Sequence, residues 1–464
     1  MRYRGSFILC SGLAAFCGLV LSGNVQAMQI DKLAVVAAND IKPASQDGQD
    51  VPMGQSATGQ GSLLPEETGT GEGASLFGLK GGYVHPYVTL QEAFTDNFYR
   101  VHSNTTSSST TSISPGIWFA VPGKKEIPVA INPTNTAPGG FQSQFKDHEG
   151  TDRIQAYARA GMDLNYYSTN SDLNSTGAVL EGMVRYNMPS GLSLQLVEQY
   201  RHGEEGFSTS VPGQQAKYNS NLMLGTVDWN MTEKFRTKLE YSNFVMDFDS
   251  GYSFRNRVDN ALDLYQYYKY SVKTAFFLED KLVDVHYDTD SANDNTQNFI
   301  FGGIKWDTTK KLSILAKGGL QTRNFDNSGP GRKDFSGLAV DVQTEYRPTI
   351  KTKLTLDLYR MDEETDYTIA SGKLVTGARF GYAQYYTNKI SGSLDALYEN
   401  ADYAELPAQP TADQNRIFLR PAVQYHFRDW LTGEVAFEYD NRDSTYSPFS
   451  YQADTLLFNL KFAL

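Results

Sequence analysis

The sequence is short of three things. Its only two cysteines, Cys10 and Cys17, lie in the first 27 residues. The remainder of the chain has no disulfide framework, so a secreted product must draw its stability from size or from backbone hydrogen bonding. There is no basic excess: a net charge of −12 and a pI near 5.1 argue against the basic face that nucleic-acid binding needs. After the N-terminal segment, no run approaches 18 apolar residues, which excludes a transmembrane helix there. If such a chain crosses a membrane, it must do so as a closed barrel. The abundant residues agree: with 29 Tyr, 26 Phe and 40 Gly in a chain only 40% hydrophobic, aliphatic residues are too few for an ordinary large core. This composition suits strands with one apolar and one polar face.

Residues 1–27 read as a signal peptide. Arg2 and Arg4 precede an apolar stretch from Phe7 to Leu21, and Val25-Gln26-Ala27 places small residues at the −3 and −1 positions of a cleavage site. Cys17 follows Ala-Ala-Phe, a poor lipidation motif. Cleavage removes both Cys and leaves a charge of −14. Residues 28–78 are rich in Gly, Ser, Gln and acidic residues and read as a flexible, disordered periplasmic leader. Its Gly69-Thr70-Gly71-Glu72-Gly73 run is no phosphate loop, since no strand precedes it and no Lys-Ser/Thr ends it.

Residues 79–464 have a period of two. Leu354, Leu356 and Leu358 alternate with Lys353, Thr355, Asp357 and Tyr359; Leu338, Val340 and Val342 alternate with Ala339, Asp341 and Gln343. Eighteen such segments start near Tyr83, Thr110, Arg153, Thr176, Gly191, Lys217, Lys234, Val258, Thr274, Asn295, Lys311, Lys333, Lys351, Lys373, Ile390, Gln414, Trp430 and Tyr451. Their connections alternate long and short, as in an outer-membrane barrel with tight periplasmic turns and long external loops. The expected fold is all-β: a single transmembrane antiparallel up-and-down barrel of about 18 strands. Pro122–Asp152 breaks the rule, being long where a short turn is due; it reads as a periplasmic flap or a loop folded into the lumen. The last segment alternates Leu456, Phe458, Leu460, Phe462 and Leu464 with Leu457, Asn459, Lys461 and Ala463, like the C-terminal signal read by the barrel-assembly machinery.

No catalytic or metal-binding set emerges, and no cofactor is implied. His85, His102, His148, His202, His286 and His426 are scattered, with no second His at i+3 or i+4, and Gly-x-Ser-x-Gly is absent. His148, between Asp147 and Glu149, reads as a solvated loop residue. The candidate site is the inward face. Alternation directs Arg159, Asp163, Glu181, Arg185, Arg236, Lys238, Asp357, Arg379, Asp395, Arg416, Arg420, Glu434, Glu438 and Lys461 into the lumen, because a basic residue at the bilayer midplane costs about 2–4 kcal/mol. They form either a polar track for a hydrophilic solute or a ladder of ion pairs that only solvates the wall. The mixed signs argue against strong ion selectivity. Tyr166, Tyr186, Tyr241, Trp306, Tyr346, Tyr382, Tyr425 and Tyr439 are expected as lipid-side girdle residues near strand ends, whereas Tyr157 and Tyr359 alternate inward. Acidic, Asn-rich loops such as Asp288–Asn295 and Met361–Asp366 offer ligands for cations bridging lipopolysaccharide, though simple solvation is the better account of them.

The opening of the barrel, His85-Pro86-Tyr87-Val88-Thr89-Leu90-Gln91-Glu92-Ala93-Phe94-Thr95-Asp96-Asn97, is followed by Thr111-Ser112-Ile113-Ser114-Pro115-Gly116-Ile117. This pair of strands resembles the putative β-barrel porin 2 family, as does Tyr270-Ser271-Val272-Lys273-Thr274. The resemblance implies an outer-membrane barrel with no catalytic residues, and many members are associated with export of extracellular polysaccharide. Three expectations arise: a polysaccharide exporter closed at rest and served by a separate periplasmic export component, a general diffusion porin, or an occluded structural barrel. The 28–78 leader is too short and too polar for the plug of a TonB-type transporter.

Overall fold

The computed structural model describes residues 83–121, 133, 135–140, 152–205, 215–249, 251–289, 291–309, 311–327, 332–365, 370–406, 409 and 412–464. The expected signal peptide and leader lie outside these residues. The described chain forms eighteen strands. The first six are β1 (Val84–Thr95), β2 (Ser108–Val121), β3 (Ile154–Tyr167), β4 (Ser175–Asn187), β5 (Leu192–Glu205) and β6 (Ala216–Asn230). The next six are β7 (Phe235–Phe248), β8 (Arg257–Ser271), β9 (Thr274–Tyr287), β10 (Asn295–Thr309), β11 (Leu312–Phe325) and β12 (Phe335–Thr349). The last six are β13 (Thr352–Glu363), β14 (Ala370–Tyr385), β15 (Ile390–Glu405), β16 (Gln414–Arg428), β17 (Leu431–Ser444) and β18 (Tyr451–Ala463). Each starts within three residues of its predicted start.

Every strand pairs antiparallel with its neighbours in sequence, and β1 pairs with β18, so the sheet is a closed up-and-down barrel with no free edge. The closing register runs from Tyr87 opposite Ala463 to Thr95 opposite Thr455. Side chains add to this seam at the long-loop end. Asn97 Nδ2 donates to the Gln452 carbonyl (2.8 Å), Asp96 Oδ1 accepts from the Asp454 amide (2.8 Å), and Arg100 pairs with Asp440 on β17.

Two local devices recur. At the short-turn end, a hydroxyl accepts the amide hydrogen of a lysine two residues on: Ser271 with Lys273, Thr309 with Lys311, Thr349 with Lys351, Thr387 with Lys389, and Thr232 with Lys234. These Ser/Thr turns reverse the chain without glycine. At the long-loop end, an aromatic at or near the close of one strand donates its amide to an Asn or Asp just before the next: Tyr167 to Asn174, Phe248 to Asn256, Tyr287 to Asp294, Phe325 to Asp334 and Tyr403 to Asp413.

The alternation sorts outside from inside. Leu338 and Ile300 are each 58% exposed, and Leu282, Leu320, Leu356, Leu358, Val423 and Phe458 join them on the outer surface. The opposite parity is buried, from Ser112 and Thr110 on β2 to Gln297 on β10 and Ser391 on β15. Exposed aromatics cluster at the short-turn end: Trp229, Phe235, Tyr268, Tyr270, Phe276, Trp306, Tyr346, Tyr425, Phe427 and Trp430. Tyr166 is exposed near the long-loop end. Tyr186, Tyr382 and Tyr439 are half-buried. Tyr241 departs from expectation: it lies in the middle of β7, where its hydroxyl donates to Asn260 Oδ1 (2.9 Å).

Candidate functional site

The interior is built from one face of every strand, and its charges are arranged in pairs across neighbouring strands. Arg159 on β3 stands opposite Glu181 on β4, 3.9 Å apart. Asp228 on β6 receives Arg236 of β7 at 2.7 Å and Arg185 of β4 at 4.0 Å. Lys238 meets Glu240 at 3.2 Å on β7 and lies over the Tyr265 ring, 4.2 Å from its centre. Asp357 is in register with Arg379, and Asp395 with Arg420. Arg420 bonds both Glu434 (2.6 Å) and Glu438 (3.1 Å), while Arg416 grips Asp440 at 2.9 Å. Asp163 lines a cavity of about 180 Å³ with Asn165, Ser175, Arg201, Glu204 and Tyr218. Lys461, opposite Thr89 and Thr432, is exposed near the end of β18. Tyr157 is fully buried, and the half-buried Tyr359 donates to Glu399 Oε2 (2.7 Å).

A second set of buried charges, on β8 to β13 and just beyond, is marked out by no motif in the sequence; all but Asp362 and Glu364, at the long-loop end of β13, share the parity of the first. Arg257 bonds Asp259 (3.0 Å), Lys317 bonds Glu279 (2.9 Å), and Arg323 meets Asp362 and Glu364, each at 3.1 Å. Glu364 also accepts from Tyr287 and Gln297, each at 2.6 Å. Arg257 and Asp259 are 1% and 0% exposed, so each charge depends on its partner. The signal for this set is the same alternation: Asp263, Tyr265 and Tyr267 on β8 share the buried parity.

The β2–β3 connection enters this interior. It begins and finishes at the short-turn end, yet its Asn135 bonds Glu205, the last residue of β5, and its Thr136 donates to Glu363, the last of β13, at 2.6 Å. Both partners stand at the long-loop end. The Glu364 amide donates to the Thr136 carbonyl (2.9 Å). The chain then turns at Gly139 and Gly140, with φ of 79° and 80°, a conformation that favours glycine. Lys281 donates to the Pro138 carbonyl (3.0 Å), Ser242 to the Gly139 carbonyl (3.3 Å), and the Gly139 amide to Asp259 (3.1 Å). A β-carbon on Gly140 would stand 2.3 Å from the Phe244 ring. Residues 135–140 are all buried. Of the two readings of this insert, the described residues show the loop folded into the lumen. They bridge the wall from β5 through β7, β8 and β9 to β13.

A closed barrel with an apolar outside, a charged inside and an inserted connection limits what the chain is. The family model described as Putative beta-barrel porin 2 matches residues 141–464. The chain belongs to that family. It is a porin-like barrel of the outer membrane, and its outer band faces lipid. Among solved structures, OprD from Pseudomonas aeruginosa is 10% identical with a TM-score of 0.42, the match covering 82% of this chain and 94% of that one. Pseudomonas aeruginosa OccK2 (OpdF) is 10% identical with a TM-score of 0.44, over 82% and 97%. Acinetobacter baumannii OccAB4 is 9% identical with a TM-score of 0.40, over 83% and 99%. No curated protein matches the chain.

Proposed function

We propose that this porin-family barrel is a gated channel for uncharged, hydroxyl-rich solutes, with a secreted polysaccharide as the cargo. The observation that carries this reading is the seat of Asn135–Gly140 inside the lumen. A connection rooted at the periplasmic end and bonded to the wall near the opposite mouth narrows the path, as an exporter closed at rest requires. The lining supports the same cargo. Its carboxylates and guanidiniums largely face each other, which leaves little net field to select ions. Ser112, Ser114, Thr89, Thr110 and Gln91 add hydroxyls and an amide to the inward face of β1 and β2, where they are buried in the closed barrel. The charged lining residues would serve as the polar track, and no catalytic role is assigned to them. A separate periplasmic export component would deliver the glycan, and the barrel-assembly machinery and lipopolysaccharide would be the membrane partners.

Family membership favours a second reading, a diffusion porin for small hydrophilic solutes. Single-channel conductance in planar bilayers separates the two, comparing the whole barrel with a variant lacking Lys124–Gln144. A silent parent whose deletion variant conducts supports the gated channel. A large steady conductance in the parent supports the diffusion porin, and silence from both overturns both readings in favour of an occluded structural barrel.

A further inference from the structure

The lipid-facing surface carries two opposite charges inside its apolar band. Asp280 is exposed on the outward parity of β9, between Leu278 and Leu282. Its register neighbours are Leu264 on β8 and Ile300 on β10, both outward and exposed. Arg360 lies on the outward parity of β13, beyond Leu354, Leu356 and Leu358, with Val340 and Thr376 as register neighbours. Strand ends aside, it is the one Lys or Arg that faces outward among the described strands.

Their depths are similar. A strand tilted by about 40° rises roughly 2.5 Å per residue along the membrane normal. Asp280 is four residues above Phe276 of the short-turn aromatic row, or about 10 Å. Arg360 is six residues above Leu354, which is in register with Tyr346 and Tyr382 of that row, or about 15 Å. The arginine stem spans the difference.

Among the described residues neither has an opposite charge against it. Asp280 accepts one hydrogen bond from Asn298 Nδ2 (3.3 Å), and Arg360 donates one to Thr376 Oγ1 (2.9 Å). Charges placed in the apolar region pair with one another or line a path, because lipid tails offer them nothing. These two are four strands apart in a barrel of eighteen, about 80° of its circumference. A copy in a closed ring meets its two neighbours in directions that differ by about 60° for three members and about 90° for four. Asp284, further along β9 toward the long loops, has the polar Asn260 and Thr296 as register neighbours instead of apolar ones. Glu92 on β1 and Glu198 on β5, two other outward carboxylates, stand six and eight strands from β13, about 120° and 160° away.

From this geometry we infer that the barrel assembles with copies of itself into a ring of three or four, Asp280 of one copy meeting Arg360 of the next. The contact is head-to-tail, and each copy contributes both halves.

The test uses the whole protein, extracted in mild detergent and placed in lipid nanodiscs, with its mass measured in both. Wild type is expected at three or four chains. Asp280→Arg and Arg360→Asp should each lower the ring fraction at least tenfold, and the double variant should restore it. A heat-modifiable band on gels shows that each variant is a folded barrel; Asp280→Asn and Arg360→Gln, with the same expected direction, replace any that is not. A single-chain mass for wild type, rings that survive the single changes, or a double variant that stays dispersed would each overturn the pairing.

Discussion

Asp259 accepts a hydrogen bond from the backbone amide of Gly139 at 3.1 Å, although 120 positions separate them in the chain. The same carboxylate holds Arg257 at 3.0 Å. One buried group therefore fixes both the wall of β8 and the inserted connection. Because the donor is a main-chain amide, the contact depends on the path of the turn and not on a side chain of the insert.

The first prediction concerns that path. Gly140→Val adds a side chain where the Phe244 ring already stands, at a backbone angle a branched residue resists. The wall is untouched. The turn should leave its seat, and open-channel events should become more frequent in single-channel recordings. Recordings identical to the parent's would mean that the turn does not narrow the path.

A milder change tests the same seat from its other end. Thr136→Val removes the hydroxyl that donates to Glu363 at 2.6 Å. A hydrogen bond to a charged group contributes about 1.5–3 kcal/mol, so the open fraction should rise by roughly 10- to 100-fold. Conductance traces at fixed voltage measure that fraction directly.

For stability, the informative pair is Lys317 and Glu279, joined at 2.9 Å and buried. Lys317→Met takes away the salt-bridge partner of the buried Glu279 and should cost about 3–5 kcal/mol. Adding Glu279→Gln removes the carboxylate charge and should recover part of that loss. Urea unfolding in lipid, followed by tryptophan fluorescence, gives both values.

At the short-turn end, Thr387 Oγ1 accepts amide hydrogens from Lys389 (3.1 Å) and Ile390 (3.0 Å). Thr387→Val should destabilise the barrel by about 1 kcal/mol, whereas Thr387→Ser should be close to neutral. A Val variant as stable as the parent in the same urea titration would remove this hydroxyl from the account of the turn.

Much of the fold is legible because its rule is local. A period of two needs only the next few residues, so the starts at Thr274, Asn295, Ile390, Gln414 and Tyr451 coincide with the observed strands. The Ser/Thr-x-Lys turns are equally open to reading, since Ser271 and Thr309 each sit two residues before their lysine. Alternation places Arg159 and Glu181 on one face but says nothing of Arg100 and Asp440, which meet across the closure, 340 positions apart. The seat of Asn135–Gly140 is hidden for a related reason. Small residues and backbone groups make its contacts, and their partners on β5, β7, β8, β9 and β13 come together only when the sheet curls.

The side-chain bonds across the β1–β18 edge bear on how the cylinder is finished. Every other ladder joins strands that are consecutive in sequence, so each can form as its hairpin is made. The final ladder must wait until all eighteen strands are present. Asp96 and Asn97, the Asp-Asn pair at the end of the first strand, then act as a clasp, engaging Asp454 and Gln452 beside the last ladder. Two residues that look like an incidental signature in the sequence thus mark where a growing sheet becomes a tube, and where a tube prised open from the side would first have to give.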